Sequence, residues 1–154
     1  PLLYGGTGSD SIRQEMPEYL PDRLEAGTIN VPGAAGLAAG LRYLKRAGVQ
    51  TIGDREHRQA QVAAEGLREL GYQVFAGEHQ AGTVSFRPAM DCEELANQLA
   101  RRGIAVRAGL HCAPLAHESA GTLESGTVRV SFGHDASSQQ TEALLKAVKK
   151  ITGN

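Results

Sequence analysis

Arg107-Ala108-Gly109-Leu110-His111-Cys112-Ala113-Pro114, with the stretch that carries it on to Gly126, decides how the rest of this chain is read. A strand signal, Ile104-Ala105-Val106, runs into it, and a second, Thr127-Val128-Arg129-Val130-Ser131-Phe132, runs out of it. Between them the residues are rich in Gly, Ala, Ser, Thr and His and show no sustained apolar period. Loops of that length inside a compact domain are uncommon and usually functional or disordered. This one sets Cys112 beside His111, with Arg107 at its entrance and Arg129 on the strand that follows. A thiolate rather than a thiol is the nucleophile, and neighbouring cations favour it. The segment therefore reads as a tethered nucleophile that visits a substrate. The alternative is a buried, inert cysteine acting as a small hydrophobe, which a Gly-rich loop does not favour. Pro114 is expected to end any regular element there.

Working outward, the strand over 127–132 alternates so that Val128, Val130 and Phe132 share one face and Arg129 shares the other with Ser131. An arginine so placed either faces solvent or offers its planar fork of donors to a carboxylate, and the alternation by itself favours the solvent face. A final helix is expected from Ser137 or Ser138, with Ala143, Leu144, Ala147, Val148 and Ile151 on its apolar face. Upstream, Asp91 and Glu94 make a capping-box-like helix start. Leu95, Ala96, Leu99 and Ala100 form that helix's inward face, and Gly103 ends it. Gln73-Val74-Phe75 and the alternating residues from Gly82 to Arg87 read as strands. From residue 72 the order is β, β, α, β, loop, β, α. That is an α+β module: a small, mostly antiparallel sheet with helices on one side.

Two long helices precede this module. The first spans about Val31 to Ala47, where Asn30 can cap it and Pro32 is tolerated in its first turn. Its interior glycines each cost roughly 1 kcal/mol relative to alanine, so a close packing partner is expected. The second runs from near Asp54 to Leu70. The residues before Asn30 are irregular, and Gly5-Gly6-Thr7-Gly8-Ser9 is either a plain linker or a turn whose N–H groups cup an anion. The expected division is therefore 1–48, a Gly-rich segment with a helix, and 49–154, the α+β domain.

The 154 residues suffice to bury a core without disulfides or metal. A formal charge of -1 argues against general binding to nucleic acid or an anionic membrane. No apolar run approaches a membrane span, and no secretory leader follows Pro1-Leu2-Leu3-Tyr4. Two cysteines fit a reducing cytoplasm better than a disulfide framework. Cys92, among Asp91, Glu93 and Glu94, reads as structural. The histidines lack the paired spacing of a zinc site, so no metal is assigned. Nineteen glycines and a start at proline suggest a piece of a longer protein.

With these residues in hand, the chain resembles the C-terminal part of class V pyridoxal-phosphate enzymes, in the cysteine desulfurase and selenocysteine lyase branch. The resemblance rests on Arg107 to Pro114 followed by a strand with Arg129, on Gly5-Gly6-Thr7-Gly8, and on Glu25-Ala26-Gly27-Thr28-Ile29-Asn30-Val31-Pro32-Gly33. The three segments stand in the family's order. The resemblance implies the C-terminal small domain of a fold-type I pyridoxal-phosphate-dependent transferase. Cys112 would take the sulfur of cysteine as a persulfide, releasing alanine, and Arg129 would hold the substrate's α-carboxylate. Arg107 and His111 would lie beside the reacting thiol. Thr28 with Gly27, and Thr7 with Gly6, would reach the cofactor phosphate of the neighbouring subunit in a homodimer. The loop would move to deliver sulfur to an acceptor protein. The family's cofactor lysine has no match among Lys45, Lys146, Lys149 and Lys150, so this chain by itself is expected to be inactive. Two alternatives are a class V aminotransferase or epimerase that does not use the thiol, and a non-catalytic persulfide carrier or dimerisation module.

Overall fold

The computed structural model describes residues 4–6, 8, 10 and 12–153, and divides into two units, Pro1–Arg46 and Ala47–Asn154. The second unit is built on four strands: β1 (Gln73–Phe75), β2 (Thr83–Arg87), β3 (Arg107–Gly109) and β4 (Thr127–Ser131). Their order is β1-β2-β4-β3, and every neighbouring pair is antiparallel. Alternation fixes which face is buried. Val84 and Phe86 of β2 and Val128 and Val130 of β4 turn inward. Against them pack Ala60, Ala64 and Leu67 of α2 (Val49–Glu69), Leu95 and Leu99 of α3 (Cys92–Ala100), and Leu144, Ala147 and Val148 of α5 (Ser138–Thr152). Cys92 lies in the same core, as a structural cysteine should.

Small residues let these helices close on each other. A Cβ on Gly66 of α2 would come within 2.5 Å of Leu145 Cδ1 on α5. A buried polar pair joins the same two helices, with Thr141 Oγ1 donating to Gln59 Oε1 at 2.6 Å. The expected caps form. Asp91 accepts from the Glu94 N–H at 2.9 Å, and Ser137 with Gln140 completes a full capping box at α5.

Three boundaries differ from expectation. The second helix begins at Val49 rather than near Asp54, because Gly48 takes a φ of 83° and Asp54 accepts a side-chain bond from Gln50 within the helix instead of capping it. The strand expected over 104–106 forms at Arg107–Gly109; Ile104 and Val106 pack on the core without entering the ladder. The segment after Cys112 contains a further helix, α4 (Pro114–Ser119), and Pro114 starts this element rather than ending one. Proline suits a first helical turn, whose N–H needs no intrahelical partner.

In the first unit, α1 (Val31–Ala47) is capped as expected: the Gly33 N–H donates to Asn30 Oδ1 at 2.9 Å. Upstream, the Gly27 N–H donates to the Gly6 carbonyl at 2.8 Å, joining the two glycine-bearing segments. Among the described residues no helix is long and apolar enough to cross a membrane.

Candidate active site

The antiparallel pairing of β4 with both neighbours sets Arg129 opposite Arg107 of β3 on one side and Ser85 of β2 on the other. Residues directly opposite in such a ladder point to the same face, and like charges there repel. Neither arginine has a carboxylate ion pair among the described residues. The face they share is the one turned away from the core helices. It is covered in part by α4, leaving a cavity of about 370 Å³ lined by Phe75, Ser85, His111, Ala116, His117 and Arg129. Arg129 is therefore half-buried rather than solvated, and its Nε has no hydrogen-bond partner among the described residues. A buried guanidinium nitrogen without a partner is costly, and an anion in the cavity would satisfy it.

Cys112 lies between His111 and Ala113, both of which line that cavity. It is exposed, and Arg107 Nη2 donates toward its Sγ at 3.5 Å. It follows His111 in a turn where both residues take positive φ, 52° and 61°. Side chains rarely adopt this region, and such strain concentrates at functional sites. Gly109 before the turn (φ 99°) lets β3 end abruptly.

The His111 ring links the turn to the cavity. Its Nε2 lies 3.0 Å from Thr127 Oγ1, while Nδ1 is buried with no partner among the described residues. Burial lowers its pKa below the ordinary 6.5, helped by the charges of Arg129, His117 and Arg107 and offset in part by bonding to Thr127. A neutral imidazole with one unpartnered nitrogen is thus available to hold or pass a proton in the cavity. Together the groups can clamp a small carboxylate, manage one proton and present a sulfur nucleophile.

Other residues fall elsewhere. Gly6, Gly27 and Thr28 lie in the first unit; Gly27 and Thr28 line an open cavity of about 390 Å³ whose wall also carries Asp22 and Glu25. Those carboxylates do not by themselves make a phosphate site. Thr7 lies outside the described residues. None of the four lysines lines the 370 Å³ cavity; all are exposed, on α1 and α5. The residues lining this cavity thus supply no Schiff-base lysine for pyridoxal phosphate. Sequence reasoning missed Ser85, Thr127, His117 and Thr122. Ser85 was detectable only through the register that places it beside Arg129.

A family model described as aminotransferase class-V matches residues 1–144. A probable cysteine desulfurase from Pyrococcus abyssi is 35% identical over 160 residues, covering 98% of this chain and 38% of that protein. The apo structure of a cysteine desulfurase from Thermococcus onnurineus superposes with a TM-score of 0.79 at 37% identity, over 86% of this chain and 34% of its own. The Escherichia coli cysteine desulfurase CsdA, in an S-sulfonic acid form, superposes at 0.76 with 31% identity, over 84% of this chain and 32% of its own. The chain thus spans well under half the length of these relatives.

Proposed function

This chain belongs to the class-V aminotransferase family, and on that premise we propose that it is the C-terminal portion of a pyridoxal-phosphate-dependent cysteine desulfurase in which Cys112 accepts the sulfur. The observation that carries the reading is an exposed thiol within reach of Arg107, whose sequence neighbours His111 and Ala113 line the same cavity as Arg129 with its unpartnered Nε. Pyridoxal phosphate, when bound, supplies the electron sink that loosens bonds of the amino acid. Its lysine anchor belongs to another stretch of polypeptide.

The chain's own residues then divide the work. Arg129 takes the substrate carboxylate with its planar fork, which fixes where the side-chain sulfur lies. Cys112 Sγ attacks that sulfur: an S–S bond forms, the carbon–sulfur bond breaks, and the electron pair stays with the carbon fragment that leaves as alanine. His111, held neutral, exchanges the proton that the substrate thiol gives up and the alanine methyl group needs. The sum is cysteine plus enzyme thiol giving alanine plus enzyme persulfide, with no outside oxidant. Arg107 stands beside the sulfur that changes charge. Thr28 and Gly27, with Thr7 and Gly6, reach toward the cofactor phosphate of a second subunit in a homodimer, and a cytoplasmic acceptor protein takes the sulfur onward.

Replacing Cys112 by Ala in the complete protein tests this. Loss of sulfur release with cofactor binding intact is expected; unchanged turnover would point to an aminotransferase or epimerase that ignores the thiol. The present chain, mixed with pyridoxal phosphate and cysteine, is expected to release no alanine.

A further inference from the structure

His111 and Cys112 hold consecutive left-handed conformations, which persist only where the surroundings over-determine them. On the β3 side the turn is closed by the Ala113 N–H, which donates to the Leu110 carbonyl at 2.9 Å. On the other side the chain enters α4, whose N-cap Ala113 makes no side-chain bond. Helices of one or two turns are not stable by themselves. The buried residue of α4 is His117.

His117 is clasped. Its Nδ1 lies 2.8 Å from Thr122 Oγ1, and the Thr122 N–H donates to the His117 carbonyl at 2.8 Å. The Thr122 hydroxyl also lies 3.5 Å from that carbonyl. Thr122 is fully buried, and its carbonyl accepts from the Gly126 N–H at 2.9 Å, just before β4 begins. The His117 ring packs 5.7 Å from that of His111.

We propose that His117, through Thr122, is a positioning residue for Cys112. The clasp ties α4 to the approach of β4, and α4 in turn holds the left-handed turn so that the sulfur faces Arg107 and the His111 ring faces the cavity. It acts on the nucleophile's pose and not on substrate. The consequence for turnover rests on the sulfur-acceptor reading of Cys112; the clasp itself does not.

Thr122→Val removes the hydroxyl at nearly constant volume, and Thr122→Ser keeps it. In this chain, hydrogen exchange over residues 110–119 is expected to speed up roughly three- to tenfold in Thr122→Val, the effect of losing one hydrogen bond. Exchange in β2, β4 and α5 is expected to stay as in the parent, and Thr122→Ser to restore 110–119. In the complete, cofactor-bearing protein the same change lowers kcat for sulfur release and leaves KM for cysteine in place, because Arg129 is untouched. Unchanged exchange over 110–119, or a raised KM at constant kcat, overturns the proposal. Should Thr122→Val not fold, His117→Asn, which keeps a donor near the Nδ1 position, is compared with His117→Leu, which does not; equal exchange at 110–119 in the two overturns it. If Cys112→Ala leaves turnover intact while the exchange difference stands, the desulfurase reading fails and the clasp survives. The opposite pair of results removes the clasp alone.

Discussion

Arg129 shows how a position that alternation sends toward solvent can end half-buried in the fold. Alternation placed it opposite the core valines, and the strand pairing adds what alternation lacks: Arg107 directly across, Ser85 on the other flank and α4 overhead. Arg129→Lys in the complete protein keeps the charge and loses the fork. It is expected to raise KM for cysteine roughly ten- to a hundredfold, since hydrogen bonds to charged groups contribute about 1.5–3 kcal/mol. Steady-state kinetics check this, and an unchanged KM would place the carboxylate elsewhere. His111 has a signature in the chain by itself. Its folded pKa lies below 6.5, so the unfolded chain binds more protons once the pH falls below that value. Its contribution to stability is therefore present at neutral pH, is lost as the pH drops through the mid-sixes, and levels off when the folded ring also protonates. Urea midpoints between about pH 7.5 and about pH 5 should fall more steeply for the wild type than for His111→Gln. Cys112, His111, Arg107 and Arg129 were visible as residue types in one stretch. The roles of Thr127 and His117 were not, because a hydroxyl paired with a ring nitrogen leaves no spacing rule to find.

At the level of elements, most of the order was legible from alternation, caps and glycines. Helix α4 was not. It is six residues long and buries His117 alone, so no apolar face marks it, and Pro114 reads as a stop when it is a start. The displacement of β3 has a similar origin: Ile104 and Val106 owe their apolar character to packing, while the ladder begins three residues on. Gly126 joins α4's tail to β4 at φ 61°, and a Cβ there would come 3.1 Å from both Cys92 Sγ and Gly109 Cα. Gly126→Ala is thus expected to destabilise the chain by about 1–3 kcal/mol, the usual cost of a side chain forced into that conformation. Chemical denaturation measures it, and a neutral result would mean that the turn relaxes freely.

At the scale of the whole second unit, α2, α3 and α5 pack on one face of the sheet and the candidate site lies on the other, which separates stability from the proposed chemistry. Leu99, fully buried among α3, α5 and the sheet, is expected to cost about 2–5 kcal/mol on replacement by Ala and to leave the cavity on the far face intact. The composition was enough to indicate a packed core, and three short segments in order were enough to suggest the family. The absence of a lysine at the cavity could be judged only once the exposed positions of Lys45, Lys146, Lys149 and Lys150 were known. The proposed chemistry requires sulfur to reach one atom, Cys112 Sγ. The most direct measurement is peptide mass spectrometry of the complete, cofactor-bearing protein after brief exposure to L-cysteine without an acceptor. One added, reductant-labile sulfur on the peptide carrying Cys112, matched by released alanine, is the expected result; alanine formed while Cys112 stays an unmodified thiol would contradict it.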